Sequence, residues 1–538
     1  MRLLPLIAVV ACGKPIETSS VNDPPVGLIV GILPDFPDQR IDELRCQVVT
    51  PATDLDNDPV TYRFAWTVDG EPFTDVGTTG HYEGDLVPAG VTDAGQVWAC
   101  VATPNDGTVD GPAASDEVQI RTGYLGWPEA EVPAASADVV IAGAPGANLG
   151  RSLGALGDVD GDRLDDVILG APGANAAYVV RGAALGWGGG TVDAGADLVL
   201  TGAPGDVVAG DPGTLAAMSD LDGDGATDAA IGVTTDTSGT GHVVLVTDLA
   251  GAAGARALAE AWGVVAGIAP STGRVVGGAD TTGDGRDALL LVDEASVYLL
   301  TPVAGASSVA DADVIVSGAT PDSAALADVT GDGVADLLVT DGDDTVVRVF
   351  SVSDLGASAT GADARCTLGE IRGQLSVIAD QDGDDLPELL VVDPDGTGED
   401  GKGDGSGWLV PSSALAPCAG AVDLASVAVL ITGYGEGAAG SAIAAADIDG
   451  DRLGDFLIGA PFLDGGGGEA LLVLASSMGG SELQLDSRPD HRFLGDGDDG
   501  VGSAVLAASD LDDDGRDDLA VGAPGRGDGG AVLVFRSP

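Results

Sequence analysis

Aromatic residues make up only 4% of this 538-residue chain, and just 22 Lys and Arg stand against 86 Asp and Glu. The shortage of basic residues argues against two kinds of partner. A formal charge of -64 is repelled by nucleic-acid phosphate and by an anionic membrane surface alike. The three histidines, His81, His242 and His491, fall in different units with no metal-ligand spacing. No grouping of a nucleophile with a base stands out, and Gly405-Ser406-Gly407 reads as a glycine-rich turn. Beyond the N-terminus, no stretch approaches the ~20 apolar residues of a membrane-spanning helix. Few aromatics alongside 85 glycines favour short strands and tight turns over long helices. Hydrophobic content of 44% is enough for a core, so the acidity does not signify disorder. At this length either several domains or one large repeat architecture is expected.

Cysteine is also scarce, with five in the chain. The first follows Met1, Arg2, an apolar run from Leu3 to Val10, and Ala11. This beginning resembles a bacterial lipoprotein signal with Val9-Val10-Ala11-Cys12 as its lipobox. The resemblance implies removal of residues 1–11, a diacylglycerol on the Cys12 sulfur, and a flexible tether over 12–25. Two or more acyl chains, at about 0.8 kcal/mol per buried CH₂, hold a protein stably on a membrane. The signal departs from the pattern in being short and in carrying Pro5, and a buried N-terminal strand is the alternative reading.

Four cysteines then remain, an even number suited to an oxidising compartment. Cys46 and Cys100 bracket strand-like runs, Val60 to Val68 and Val97 to Val101, with Trp66 between them. Residues 26–122 thereby resemble an immunoglobulin-like β-sandwich, which implies a Cys46–Cys100 disulfide. Trp98 stands where that fold carries its corner tyrosine, so the resemblance is to the broad class. Cys366 and Cys418 are open between a second disulfide and two buried thiols. Residues 123–133 read as a linker.

From residue 134 onward one pattern recurs: aspartates at alternate positions, a glycine between them, then a short apolar run. Its seven copies begin at Asp158-Val159-Asp160-Gly161-Asp162, Asp220-Leu221-Asp222-Gly223-Asp224, Asp280-Thr281-Thr282-Gly283-Asp284, Asp328-Val329-Thr330-Gly331-Asp332, Asp380-Gln381-Asp382-Gly383-Asp384, Asp447-Ile448-Asp449-Gly450-Asp451 and Asp510-Leu511-Asp512-Asp513-Asp514. Successive copies start 48 to 67 residues apart, the length of a four-stranded sheet with its connections and so of one propeller blade. Calcium is a hard cation that takes six to eight oxygens, and side chains at positions 1, 3 and 5 of a curled loop converge on one point. Glycine permits the curl. A carbonyl at position 7 and a carboxylate at position 9 would complete the shell. Position 9 is Asp166, Asp228, Asp336, Glu388, Asp455 and Asp518 in six copies. The third copy has Ala288 there and Thr282 at position 3, and ranks weakest of up to seven calcium sites; the fourth, with Thr330, is intermediate. Two carboxylates about 4 Å apart repel by roughly 4 kcal/mol at an effective dielectric near 20, and a bound cation reverses that sign.

Each loop leads into a β-rich run, and in three copies the run ends in Gly-Ala-Pro, at Gly170, Gly459 and Gly522. Another strand follows: Ala176 to Val180, Glu469 to Leu474, Ala531 to Phe535. Together these features resemble the FG-GAP repeats of integrin α-subunits and many bacterial surface proteins. The resemblance covers residues 134–538, strong in repeats one, six and seven and faded in three to five. It implies an all-β chain, a seven-bladed calcium-binding β-propeller preceded by the small sandwich. An unassigned strand, Ala137 to Ala142, is placed to supply the missing edge of the seventh blade.

The family implies binding: a rigid, monomeric platform on the outside of a bacterial cell, lipid-anchored at the outer membrane or cell surface, with a surface protein or glycan as partner. The competing classes are a propeller-fold hydrolase or lyase acting on polysaccharide or lipid, and a purely structural envelope protein. The scarcity of catalytic constellations leads us to expect no enzyme. Arg526-Gly527-Asp528 reads as a chance tripeptide in a turn, and Trp187, Trp262 and Trp408 as packing residues rather than a sugar platform.

Overall fold

A computed structural model describes residues 22–538 apart from 35–36, 38, 40–42, 80–81, 121–125, 186–189, 212, 219, 224–225, 236–240, 269–273, 280, 282–286, 319, 344, 370, 372, 382–383, 385, 395–404, 418, 433–438, 452, 479–481, 486–488, 508–509, 513 and 515. Two compact units divide the chain, Met1–Gly123 and Tyr124–Pro538. Cys12, His81, Trp187, Asp224, Asp280, Asp284, Asp382 and Cys418 lie outside the described residues.

In the first unit two four-stranded antiparallel sheets face one another. In spatial order one contains Ile29–Leu33, Leu44–Thr50, Glu83–Val87 and Gly77–Thr78; the other contains Glu71–Phe73, Thr61–Val68, Val97–Asn105 and Ala114–Gln119. Period-two alternation dictates the arrangement. Along Val97–Asn105 every second side chain is buried, and Trp98 and Cys100 meet Trp66, Ile32, Leu44 and Cys46 in a shared core. The Cys46–Cys100 disulfide crosses between the sheets, its Cα atoms 6.1 Å apart. Cys366 is buried and disulfide-bonded.

Among the described residues the second unit holds seven sheets on one plan, numbered here one to seven in the order of their acidic loops. In sheet one an inner strand, Ser152–Gly157, pairs antiparallel with Asp166–Ala171, then Ala176–Val180, then Leu198–Thr201. The inner strand alternates buried and half-buried residues, whereas both middle strands are buried throughout. Strands covered on both faces lose the alternating pattern and read as continuous apolar runs, which is why Val167-Ile168-Leu169 shows no period.

Neighbouring sheets share cores. Ile168 of sheet one packs with Ile231 and Val244 of sheet two, while Val167 and Leu169, pointing the other way, pack with Val532 and Val534 of sheet seven. Equivalent clusters join sheets two and three, three and four, four and five, five and six, and six and seven. The cycle is closed, as in a propeller.

Closure is made by the strand before the first loop. Val139–Ala142 pairs antiparallel with Ala531–Phe535, Val139 opposite Val534 and Ile141 opposite Val532. Short parallel strands then cover the outer edges of the sheets; Gly254–Ala257, for example, lies along Leu198–Thr201. One expectation needs correction here. Glu131–Pro133, read from sequence as part of a linker, is such a strand and pairs with Arg492–Leu494 at the edge of sheet six. Its sequence is too short to announce a strand: it is held by the partner's backbone and by the single apolar side chain of Val132, which is buried in the core of sheets six and seven.

A candidate metal loop in each sheet

Every acidic loop joins the inner strand of its sheet to the second strand. Recurring hydrogen bonds curl those that are described at these positions. The position 1 carboxylate accepts the N–H of position 4 in Asp158, Asp220, Asp328 and Asp447, at 2.7, 2.6, 2.7 and 2.8 Å. The position 5 carboxylate accepts the N–H of position 7, as Asp162 does from Leu164 at 2.9 Å and Asp332 from Val334 at 3.0 Å. The position 4 glycine takes the left-handed conformation, with φ of 81° at Gly161 and 78° at Gly450, where a side chain would add strain.

Among the described residues, carboxylate oxygens converge in five loops. One oxygen from each of Asp158, Asp160 and Asp166 lies within 4.8 Å of the others, and the same holds for Asp220, Asp222 and Asp228; for Asp380, Asp384 and Glu388; for Asp447, Asp449 and Asp455; and for Asp510, Asp512 and Asp514. Asp162, Asp451 and Asp518 stand outside these groups, and Asp328, Asp332 and Asp336 do not converge as a trio. Such clusters can hold a metal ion, and two further observations fit one. Asp336 is buried with neither carboxylate oxygen hydrogen-bonded, and Asp512 has a buried Oδ1 with no partner. A buried, unpartnered carboxylate oxygen is costly unless something positive meets it.

Position 9 does more than sequence reasoning gave it. It is the first residue of the second strand in five of the six acidic copies and is buried in all six. One oxygen accepts the N–H of position 2: Asp166 from Val159 at 3.0 Å, Asp228 from Leu221 at 2.7 Å, Glu388 from Gln381 at 2.6 Å, Asp455 from Ile448 at 2.8 Å and Asp518 from Leu511 at 3.0 Å. The other accepts an N–H just beyond the third strand, from Gly182, Ser412, Ala475 or Ser537. These residues clasp the loop to its sheet, and Asp166, Asp228, Glu388 and Asp455 also belong to the converged groups.

Burial, opposed by those hydrogen bonds and reinforced by neighbouring carboxylates, pushes Asp455 and Asp518 up to about 8 and Asp166 to about 6. Asp449 is raised to about 6 by burial and by Asp451 and Asp447. Asp336 and Asp512 are raised too, burial being the largest cause.

Sequence reasoning missed several residues. Asp165, at position 8 of loop one, reaches back to loop seven: its N–H donates to the Asp510 carbonyl at 2.9 Å and its carboxylate accepts the Asp510 N–H at 3.1 Å. Asp517 holds the same position in loop seven and is pushed up to about 6 by burial and by Asp447 of loop six. Aligning the repeats would have exposed this shared position. Arg181 and Arg536, immediately after the third strands, lie beside position 3 of their loops.

The Gly-Ala-Pro glycines also gain a reason. A Cβ on Gly459 would lie 2.0 Å from the carbonyl of Gly502, and one on Gly522 would lie 2.0 Å from that of Gly150. Gly150-Arg151-Ser152-Leu153-Gly154 has the spacing of a hydrolase nucleophile elbow, a match the sequence reading passed over. Ser152 is instead fully buried at the start of an inner strand, its hydroxyl donating to the Ala209 carbonyl at 2.8 Å. Ser406 and Gly407 belong to the strand Ser406–Val410 rather than to a turn. Arg526 of the Arg-Gly-Asp tripeptide is paired with Asp499 at 2.5 Å. Trp262 and Trp408 are half-buried against inter-sheet cores.

Residues 501–535, which contain the seventh loop, match the FG-GAP repeat family. Among solved structures, BBS1N from its crystal structure in complex with ARL6DN aligns over 75% of this chain and 94% of its own, at 10% identity and a TM-score of 0.42. The V. cholerae biofilm matrix protein Bap1 aligns over 49% of this chain and 37% of its own, at 16% identity and a TM-score of 0.26. Among the described residues no helix is long and apolar enough to cross a membrane.

Proposed function

We propose that this chain is an extracellular, calcium-ordered binding protein: a seven-bladed propeller of FG-GAP type that presents a rigid surface to a protein or glycan. One observation carries the reading. The same acidic loop recurs at the same hairpin of successive sheets, with carboxylates converged in five of them among the described residues and, at Asp336 and Asp512, oxygens buried without a hydrogen-bond partner. Calcium would be held by carboxylates at positions 1, 3, 5 and 9 and would supply the positive charge these loops lack. Ordering the loops fixes one end of every sheet, so recognition proceeds from a preformed surface rather than a mobile one.

The first unit fits an immunoglobulin-like sandwich. Its disulfide joins Leu44–Thr50 of one sheet to Val97–Asn105 of the other, Trp66 lies in the same core, and the strand order reproduces that of the constant-type domain with one added edge strand. Such a module spaces a binding domain from an anchor, consistent with lipidation at Cys12 and a place on a bacterial outer surface. The reading is non-enzymatic, supported by the buried, engaged hydroxyl of Ser152.

Calcium titration followed by thermal melting tests the proposal. A ligand that binds only the folded state raises its stability, by about 2.7 kcal/mol at one hundred times its Kd. We expect a large upward shift of the propeller's melting temperature with millimolar calcium, reversed by chelator. Identical melts in calcium and chelator would remove the metal from the account. Pull-down of surface proteins and glycans in both conditions then tests whether the ordered face has a partner.

A further inference from the structure

Loops one and seven share a feature that calcium alone does not explain. In both sheets the residue directly after the third strand is arginine, and its backbone N–H donates to the aspartate that precedes the fourth strand: Arg181 to Asp197 at 3.1 Å and Arg536 to Asp138 at 2.9 Å. Sheets six and three make the same backbone contact, from Leu474 to Asp490 at 2.8 Å and from Thr301 to Asp313 at 2.7 Å, with no cation at the position. The site is therefore structurally equivalent in four sheets and basic in two.

From that fixed point the two side chains turn into their loops. Arg181 Nε lies 3.2 Å from Asp160 Oδ2, and Arg536 Nε lies 3.7 Å from Asp512 Oδ2, both acids at position 3. Arg181 is further anchored by Nη2, which donates to the carbonyls of Leu249, Ala250 and Ala252 at 3.1, 2.8 and 3.1 Å. These carbonyls precede the strand Gly254–Ala257 that covers the outer edge of sheet one. A guanidinium so held stays charged at any working pH and cannot swing freely away from its carboxylate.

We propose that Arg181 and Arg536 are tethered counter-cations that partly neutralise loops one and seven in place of metal, keeping the two sheets beside the ring closure together at low calcium in exchange for weaker calcium binding there. The placement supports this role. Sheet seven is the composite sheet closed by Val139–Ala142, and sheet one is its neighbour through a shared core. A positive charge near position 3 relieves repulsion among the carboxylates, and the same charge repels an incoming dication. The proposal rests on calcium being the ligand of these loops.

The test is the double variant Arg181→Gln and Arg536→Gln, which keeps amide donors and removes charge. Native mass spectrometry at a fixed, subsaturating free calcium counts bound ions, and melting in chelator and in saturating calcium reads stability. We expect two more ions bound than in the unmodified protein, because a charge that repels the dication is gone from those loops, together with a lower melt in chelator that recovers in calcium. An equal or smaller ion count overturns the proposal, as does a melt lowered equally in both conditions, which would mark the arginines as structural only. If the double variant does not fold, Arg536→Gln alone should bind one additional ion, and no gain would be decisive against the idea. An unmodified protein that takes up no calcium at saturation removes the calcium reading itself, and this proposal with it.

Discussion

Asp160 and Asp512 occupy position 3 of loops one and seven, where each faces other carboxylates and an arginine at once. Replacing either by alanine should reduce the calcium-induced rise in melting temperature, because one side-chain ligand is lost. Asp284→Ala, in a loop whose positions 3 and 9 are Thr282 and Ala288, should hardly change it. Melting curves of the three variants with and without calcium check the ranking, and an equal loss in all three would contradict it. A second residue-scale prediction concerns Gly459. A methyl group there meets a backbone carbonyl of the neighbouring sheet at 2.0 Å, which neither partner can relieve by a rotamer change. Gly459→Ala should destabilise the propeller by about 1–3 kcal/mol, the usual scale for overpacking, with calcium binding unchanged; denaturant unfolding measures it.

The acidic hairpin is the element on which pH acts. Asp455 and Asp518 sit near 8 in the folded protein, and Asp166 and Asp449 near 6, against an ordinary aspartate value of 3.8. The native state therefore holds protons that the unfolded chain has released. For groups raised in this way, the stabilisation is full below the unfolded value and is lost as pH rises through the folded one. The metal-free protein should accordingly melt lower as pH climbs from about 4 to above 8. Calcium competes with those protons, so in its presence the slope should flatten or reverse. Melting temperatures across that range, with and without calcium, decide the matter; a metal-free protein that gains stability toward pH 8 would refute the buried-carboxylate account.

At the scale of the whole molecule the ring is held by apolar seams between sheets, and the seam of sheets seven and one is the place where residues far apart in sequence must meet. Ile141 is 1% exposed in that seam and opposite Val532. Ile141→Asp would bury an unpaired charge and should unfold or open the second unit while sparing the first, whose core is separate and carries its own disulfide. Removing that disulfide, by Cys46→Ser, should lower the first unit's stability by about 4 kcal/mol and leave the propeller's calcium response intact. Unfolding followed separately for the two units distinguishes these outcomes.

Sequence alone determined the all-β class, the recurrence of an acidic loop and the strand that closes the ring, because each depends on local pattern: alternate aspartates about a glycine, apolar runs of strand length, and a spare strand ahead of the first loop. The disulfide of the first unit was legible for the same reason. What only the tertiary structure decided involves groups separated along the chain that meet within a sheet or between neighbouring sheets. Asp165 grips loop seven, the arginines face position 3, position 9 clasps two distant N–H groups, Ser152 of a hydrolase-like spacing is sealed against Ala209, and Glu131–Pro133 becomes an edge strand. None of these partners is within hydrogen-bonding reach along an extended chain. Their chemistry arises only once strand pairing and packing have brought these groups together, so the sequence does not show what each one meets, although aligning the repeats would single out position 8.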